Sequence, residues 1–258
     1  MSVTKIISCI VILICGMLLP GHTLAEKLEE KARAYFENKQ SQEASTIWYE
    51  ILNSGKVTSG VYYNIGLAQS NLGQVPQAMI AFEKALRLKP SSNVIQKAIQ
   101  LEKENMPNAI IPVKPFFLLE WTIGLLALFR PGYWSFFGMI ALITAALLYI
   151  RRNYFSNKSN PFLQSRAIPV ITGFGLVFLL LAFLSYTSLY RDDEAILQVP
   201  CEIRQAPSEE SPHLLAISPG EKMVILDQLT GWYHVRLLNI EEGWIKSDCV
   251  TRIIMGTR

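Results

Sequence analysis

The chain has 258 residues, of which 50% are apolar and 17% are charged, and this composition leans toward a membrane protein. The length leaves room for one or two domains. The formal net charge of +3 is small, and the basic excess does not lie on one face of a soluble domain, so we do not expect nucleic acid as a partner.

Residues 1–25 have the pattern of a secretory signal. Lys5 supplies the positive start, residues 6–19 form a short apolar stretch, and Thr23-Leu24-Ala25 resembles a cleavage site. We predict cleavage after Ala25, and an uncleaved anchor is the alternative. In either case the chain from Glu26 onward is expected to be translocated across the membrane.

Residues 26–105 carry a repeat of 34 residues, which separates Ala44 from Ala78 and also Trp48 from Phe82. This is the period of the tetratricopeptide repeat (TPR), a pair of helices joined by a turn. Residues 59–90 resemble a nearly complete unit, with its packing residues at Tyr62, Ile65, Gly66, Ala68, Gly73, Ala78, Phe82, Ala85 and Pro90. Residues 25–57 form a weaker first copy, and residues 93–104 are predicted to be a capping helix.

In TPR proteins the first helix of each pair lines a concave face that binds extended peptides. The resemblance assigns this face to Glu29, Arg33, Phe36, Glu37, Tyr63, Leu67, Ser70 and Asn71. Chaperone-binding TPR units have Lys and Asn where this chain has Glu29 and Arg33, so a free C-terminal carboxylate is not the expected ligand. The alternative is a solvated face that binds nothing.

Residues 106–132 are predicted to be a linker followed by an interfacial helix. Pro107, Pro112 and Pro115 prevent the helical array from continuing. The apolar stretch 116–129 is short for a membrane span, and Glu120 would be costly at depth. We therefore predict a helix that lies in the outer membrane–water interface with Trp121 among the headgroups. A third span is the alternative.

Two apolar runs, residues 133–150 and 168–190, contain no Asp, Glu, Lys or Arg. Each is long enough to be a bilayer-spanning helix, and only a helix satisfies its own backbone hydrogen bonds in hydrocarbon. Arg151, Arg152, Lys158 and Arg166 make the loop 151–167 basic, so we predict that it is cytoplasmic. The domains before and after the hairpin then share the opposite side. Two buried helices in a soluble protein are the alternative.

Residues 195–258 contain short apolar segments separated by turn residues, which favours a small β-barrel. Predicted strands cover residues 196–204, 222–226, 232–238 and 243–246. The sequence resembles the bacterial SH3 family in the order of its segments, which are Ile203-Arg204-Gln205-Ala206-Pro207-Ser208, Pro219-Gly220-Glu221, Gly231-Trp232-Tyr233, Val235-Arg236 and Gly243-Trp244-Ile245.

The resemblance has two implications for the C-terminal domain. Cys201 would lie in the first strand and Cys249 just before the last, so the two could form a disulfide in an oxidising compartment. Two buried thiols are the alternative. Some bacterial SH3 domains bind cell-wall peptides, and Trp232, Tyr233 and Trp244 are the candidate aromatic surface. The same three residues could instead be packing and rim aromatics.

The sequence contains no recognisable catalytic or metal-binding pattern. The three histidines, of which His213 is expected in a loop, are not at metal-ligand spacing, and no phosphate-binding glycine loop or nucleophile motif is present. Asp192-Asp193-Glu194 and Glu241-Glu242 fit a solvated membrane exit and a turn. We therefore predict no enzymatic activity, no cofactor and no metal site.

The order of parts resembles the BatE-type family of the Bacteroides aerotolerance operon. The expected fold is a multi-domain membrane protein with α-helical TPR hairpins, a two-helix transmembrane hairpin and a small all-β SH3-like barrel. The resemblance implies an inner-membrane scaffold with both domains in the periplasm. It also implies membrane-anchored von Willebrand A-domain proteins and a MoxR-type ATPase as partners. The alternative function is a peptidoglycan-binding or wall-sensing protein.

Overall fold

The computed structural model describes residues 24–107, 109–113, 121–122, 124–126, 128–129, 131–154 and 161–255. The predicted signal, up to residue 23, therefore lies outside the described residues. So do Lys158 and much of the predicted interfacial helix 116–129. Within that stretch, Trp121 and Thr122 are helical, and the ring of Phe129 packs edge-on against Trp134 with 5.3 Å between centroids.

Five helices form the N-terminal region. They are α1 (Leu24–Glu37), α2 (Ser41–Asn53), α3 (Ser59–Asn71), α4 (Val75–Leu88) and α5 (Asn93–Glu104). The Thr58 hydroxyl accepts a hydrogen bond from the backbone N–H of Val61 at 3.2 Å and so caps the start of α3. At the end of α3, Gly73 adopts a positive φ of 72°, which favours glycine.

The helical core has the layout that the repeat predicts. Trp48 and Phe82, one period apart in the sequence, are both fully buried, and the small residues Ala44 and Ala78 lie in the same core. A Cβ at Gly66 would overlap the ring of Phe82, so α3 and α4 can approach this closely only because position 66 is glycine.

Two long helices follow, α6 (Pro131–Tyr154) and α7 (Pro161–Leu189). Segments Pro131–Asn153 and Arg166–Ser188 are long and apolar enough to cross a membrane, and only 17% and 11% of their apolar stretches are buried. A helical pair in the core of a soluble protein would be mostly buried. The helices contact each other closely, because a Cβ at Gly138 would lie 3.1 Å from the carbonyl oxygen of Gly175.

Both long helices extend further than the sequence predicted. The predicted loop 151–167 is mostly helical, since Arg151 and Arg152 belong to the last turns of α6 and Arg166 belongs to α7. Only residues 155–160 between them lie outside the described chain. A helix can continue past the apolar run because its backbone hydrogen bonds do not depend on side-chain polarity.

The C-terminal region is a seven-stranded antiparallel sheet, consistent with an SH3-like fold. Its strand order is β3-β2-β6-β5-β4-β1-β7. The strands are β1 (Glu194–Leu197), β2 (Cys201–Arg204), β3 (His213–Ile217), β4 (Lys222–Leu229), β5 (Trp232–Leu237), β6 (Glu242–Lys246) and β7 (Val250–Arg252), with a short 3-10 helix at Ser247–Cys249.

Two sequence predictions for this region were wrong. The predicted first strand, 196–204, is two strands, because the chain turns at residues 198–200, where Pro200 cannot donate to a ladder. His213, expected in a loop, begins β3, which pairs with β2. Cys201 therefore begins the second strand rather than lying in the first.

The helical region and the sheet pack against each other. Met79 and Met106 meet Ile196 and Ile253 in one buried cluster. Met255 continues past the last strand and packs in the core of the helical repeats. Met255, the last residue that the structure describes, is therefore part of the N-terminal domain's core.

The predicted linker is also fixed to the sheet. The backbone N–H of Ile110 donates to the Glu221 carboxylate at 2.7 Å, and the N–H of Val113 donates to the Leu238 carbonyl at 3.0 Å. The Ile110 side chain packs against the core of the sheet domain. The packed unit therefore includes part of the segment that the sequence assigned to a linker between domains.

Candidate functional site

The first candidate surface is the face formed by the first helices of the repeats, α1, α3 and α5. Several of the predicted site residues on it are engaged within the protein. The ring of Phe36 lies 5.6 Å from that of Trp48, and the ring of Tyr63 lies 5.8 Å from that of Phe82. Leu67 is half-buried against the same core. These aromatic residues therefore contribute to packing as well as to the face.

The polar residues of the predicted face also have internal partners. Glu29 forms an ion pair with Lys56 at 3.3 Å, and the Asn71 amide donates to the Ser41 hydroxyl at 3.4 Å. The Ser70 hydroxyl donates to the carboxylate of Glu102 on α5. By contrast, the side chains of Arg33 and Glu37 are exposed.

Sequence reasoning missed two residues of this face. Val94 and Leu101 on α5 are each 59% exposed. The 34-residue period, carried one unit further, places Leu101 at the position equivalent to Leu67 and Arg33. The prediction of a capping helix at residues 93–104 did not assign Val94 and Leu101 to the face. The face therefore has an exposed apolar edge on its third helix.

The opposite side of the helical region is covered by the sheet domain through a buried ionic cluster. The Lys222 ammonium lies 2.8 Å from Glu83 on α4 and 3.0 Å from Glu194 on β1, and Arg87 lies 2.8 Å from Glu194. The Arg87 guanidinium also donates to the Ile253 carbonyl at 2.7 Å. All four charges are balanced within the cluster, as burial requires.

The cluster shifts the pKa values of Glu194 and Lys222. Burial alone would raise the pKa of Glu194, but Lys222 and Arg87 outweigh burial and hold that pKa below its ordinary value. Burial would likewise lower the pKa of Lys222, but Glu83 and Glu194 raise it above the ordinary lysine value. The Glu194–Lys222 ion pair is therefore charged across the neutral pH range.

The second candidate surface is the outer face of the sheet. Cross-strand neighbours place Trp232 beside Lys246 and His234 beside Trp244. The rings of His234 and Trp244 stack, with 5.0 Å between centroids and 24° between planes. Side chains alternate along a strand, so Trp232 and His234 point to the same face of β5. Trp244, opposite His234, lies on that face as well.

Tyr233 does not share this face, although the sequence grouped it with the two tryptophans. Consecutive strand residues point to opposite sides, so Tyr233 faces the core of the sheet domain and packs against it. The Arg252 guanidinium lies 5.0 Å above its ring. The aromatic surface therefore consists of Trp232, His234 and Trp244, and alternation within the strand was the signal that could have identified it.

Cys201 and Cys249 are joined in a disulfide, with 6.4 Å between their Cα atoms. The bond links the start of β2 to the turn before β7, the strand that leads into the tail at Ile253 and Met255. Among the described residues, no group of three or more His, Cys, Asp or Glu side chains is arranged to hold a metal ion.

Comparison with known families agrees with the two folded regions. Residues 202–251 match the family described as bacterial SH3 domain, and residues 59–92 match the family described as tetratricopeptide repeat. No curated protein matches the chain. The chain thus carries a tetratricopeptide repeat and a bacterial SH3 domain on either side of two helices that are long and apolar enough to span a membrane.

Proposed function

We propose that the protein is a non-enzymatic scaffold of a bacterial inner membrane that recruits protein partners through its TPR face. One observation carries the proposal. The SH3 domain covers α4 through Arg87 and Glu83, whereas Val94 and Leu101 on α5 stay exposed at the first-helix face. Exposed apolar side chains at such a position favour a protein ligand.

The proposed location is the periplasmic side of the membrane for both domains. Two features support it. First, Arg151, Arg152 and Arg166 lie near the ends of α6 and α7 that residues 155–160 connect, and basic residues favour the cytoplasmic side. Second, the SH3 domain contains a disulfide, which favours an oxidising compartment. Protease digestion of intact spheroplasts tests the placement. Cleavage of both the TPR and SH3 domains from outside is expected, and protection of either would rule the arrangement out.

Photo-crosslinking in cells tests the recruiting face. A photoreactive amino acid at Leu101 should give discrete protein adducts, whereas the same group at Tyr49, which is exposed on the second helix of the first repeat, should not. Equal labelling from both positions would contradict a specific TPR face. Leu101→Glu should abolish the adducts made from a second photoreactive group at Val94, and Tyr49→Glu should leave them unchanged.

The finer assignment is membership of a BatE-type aerotolerance complex, supported by the order of TPR, spans and SH3. It predicts co-purification with membrane-anchored von Willebrand A-domain proteins and a MoxR-type ATPase from native membranes. Their absence at native expression would count against this complex but not against the scaffold, because the crosslinking experiment identifies partners of any class.

A second candidate function is peptidoglycan binding, favoured by the stacked His234–Trp244 pair on the outer face of a bacterial SH3 domain. Aromatic faces bind sugar rings and peptide groups by stacking. The full chain in detergent should sediment with purified sacculi, and Trp244→Ala should weaken sedimentation several-fold. Ile240→Ala, at an exposed hairpin on the same domain, is the matched control. Equal sedimentation of both variants would remove this candidate.

A further inference from the structure

The hairpin between β4 and β5 ends in exposed apolar side chains that the proposed function does not use. Leu226 and Leu229 are 38% and 51% exposed, and Trp232, opposite Leu229, is partly exposed. We propose that the tip of this hairpin, residues 226–232, lies in the headgroup layer of the membrane that α6 and α7 cross. The occupant of this surface is lipid.

The register of the sheet directs the hairpin toward the end of α7. β1 pairs antiparallel with β4, with Glu194 opposite Val224, and the carbonyl of Asp193 accepts from the N–H of Ile225 at 2.6 Å. The pairing therefore extends from β1 back toward α7. Beyond Ile225, β4 continues to Leu229 in the direction from which the chain arrives.

The lengths of the two segments match. α7 ends at Leu189, four residues before Asp193, and these residues span at most about 14 Å. The four residues from Ile225 to Leu229 extend about 13 Å along β4. Because β4 runs antiparallel to β1, the hairpin tip lies on the side of the sheet from which the chain arrives from α7, at a distance from Asp193 comparable to the reach of residues 190–193.

The end of α7 has the features of a membrane–water interface. Tyr186 and Tyr190 are both exposed, and their rings lie 4.6 Å apart. Tyrosine and tryptophan concentrate at this depth because their rings are apolar and their polar ends are hydrated. Trp232 on the hairpin adds a third ring of this kind beside two exposed leucines.

Charges around the tip favour a general lipid surface over one specific anionic lipid. Arg252 donates to Gln228 at 2.9 Å and covers the ring of Tyr233, and Lys246 pairs with Glu209. Asp227 adds an acid on the hairpin itself. Since these cations already have partners and an acid is present, insertion depends on the leucines and Trp232.

The hairpin at the other end of β5 provides a matched control. Ile240, at the turn between β5 and β6, is 61% exposed, more than Leu229. It lies eight residues along the chain from Trp232, so the two tips are about 20–25 Å apart along the strands. Leu229 and Ile240 are therefore apolar residues of similar exposure at two different hairpin tips. The proposal places only the tip with Leu229 in contact with lipid.

The test uses the full chain in vesicles of zwitterionic phospholipid. Leu229→Cys, Ile240→Cys and Leu180→Cys are each labelled with an environment-sensitive fluorophore, with the Cys201–Cys249 disulfide intact. Cys9 and Cys15, which lie in the predicted signal, are replaced by serine so that a retained signal carries no second label. Lipids with spin labels at shallow or deep positions, and iodide in the water, serve as quenchers. Leu180, in the middle of α7, reports whether the helix is in the bilayer.

We expect shallow spin-labelled lipid to quench the probe at Leu229 at least three-fold more strongly than it quenches the probe at Ile240. Iodide should quench the Ile240 probe more strongly than the Leu229 probe. Deep quenching at Leu180 with equal iodide access at Leu229 and Ile240 would overturn the hairpin contact and leave the membrane scaffold intact. Iodide access at Leu180 would overturn the spans, and with them both proposals.

Discussion

The guanidinium of Arg87, on the last turns of α4, lies 2.8 Å from the carboxylate of Glu194, the first residue of β1. The two residues are separated in sequence by both candidate spans, yet they are buried together. Glu194 also faces Lys222, which in turn pairs with Glu83. This cluster joins the TPR and SH3 domains into one packed body.

Removing the lysine from this cluster should be costly. Lys222→Met leaves Glu83 and Glu194 buried with one cation fewer, and breaking a buried ion pair from one side typically costs about 3–5 kcal/mol. The measurement is urea unfolding of the full chain in detergent, followed by tryptophan fluorescence. Arg236→Ala, whose partner Glu242 is also well exposed, should cost less than about 1 kcal/mol. Equal losses would contradict a special role for the buried cluster.

The same contact should depend on pH at both extremes. The pKa of Glu194 is lowered in the folded protein, so its stabilisation is complete above the ordinary value of about 4.3 and disappears as the pH falls through the lower folded value. The pKa of Lys222 is raised, so its contribution is complete below about 10.4 and disappears as the pH rises through the folded value.

Melting temperature plotted against pH should therefore be flat near neutrality and should fall at both ends. In Lys222→Met the alkaline fall attributable to this residue should be absent, because the titrating group has been removed. An unchanged alkaline limb in the variant would show that another group controls it.

The contribution of Glu221 to stability should depend on pH in the opposite direction to that of Glu194. Burial raises its pKa, and the N–H of Ile110 and the charge of Lys103 offset this only in part. Because the pKa of Glu221 is raised, the contribution of this one group to stability is greatest at low pH and is lost as the pH rises through its folded pKa. Glu221→Gln keeps an acceptor for Ile110 and removes the charge, so it should raise the melting temperature at pH 7 and have little effect below pH of about 4. A lower melting temperature at pH 7 would show that the ionised carboxylate stabilises this junction.

Two glycines on α3 offer a matched pair. Gly66→Ala places a methyl group into the ring of Phe82 and should destabilise the protein by about 1–3 kcal/mol through overpacking. Gly60→Ala meets only the Thr58 hydroxyl at 4.0 Å, and it should stabilise the protein by up to about 1 kcal/mol by lowering the entropy of the unfolded chain. The order of the two melting temperatures is the readout, and a reversed order would contradict the packing seen at Phe82.

The disulfide should contribute measurably to the SH3 domain. The chain-entropy relation gives about 4 kcal/mol for a bond that closes a separation of 48 residues. Cys201→Ser combined with Cys249→Ser should reduce the free energy of unfolding by roughly 2–4 kcal/mol, and dithiothreitol should have the same effect on the wild type and none on the variant. Alkylation of both thiols without reductant would show instead that the cysteines are free in the isolated protein.

The repeats were predictable from sequence because their signal is local. A period of 34 places Trp48 and Phe82 at equivalent positions, and both are buried in one core. Strand alternation likewise contains enough information to separate Tyr233 from Trp232. The ends of α6 and α7 were harder to predict from sequence. Hydropathy detects apolar side chains, whereas the helical backbone continues through the basic residues Arg151 and Arg166.

The contact between domains was not predictable in the same way. Glu83 and Lys222 are 139 residues apart, and neither is distinctive in its own segment. Their pairing depends on the position of β1 next to α4 in the folded protein. That position is set by the tertiary structure and has no local sequence signal. Leu101 is an intermediate case: the 34-residue period relates it to Leu67, but α5 has too few repeat residues to predict a third unit and with it an exposed position on the face.

Met255 has a consequence for biosynthesis. The TPR helices precede the two long helices in the chain, but their core also contains the side chain of Met255, which follows both long helices. In the two-span topology, Met255 reaches that core only when both helices have inserted in the correct orientation. If both helices span the membrane, a chain with one of them misinserted would hold Met255 on the opposite side from the TPR helices, and their core would lack one of its buried side chains.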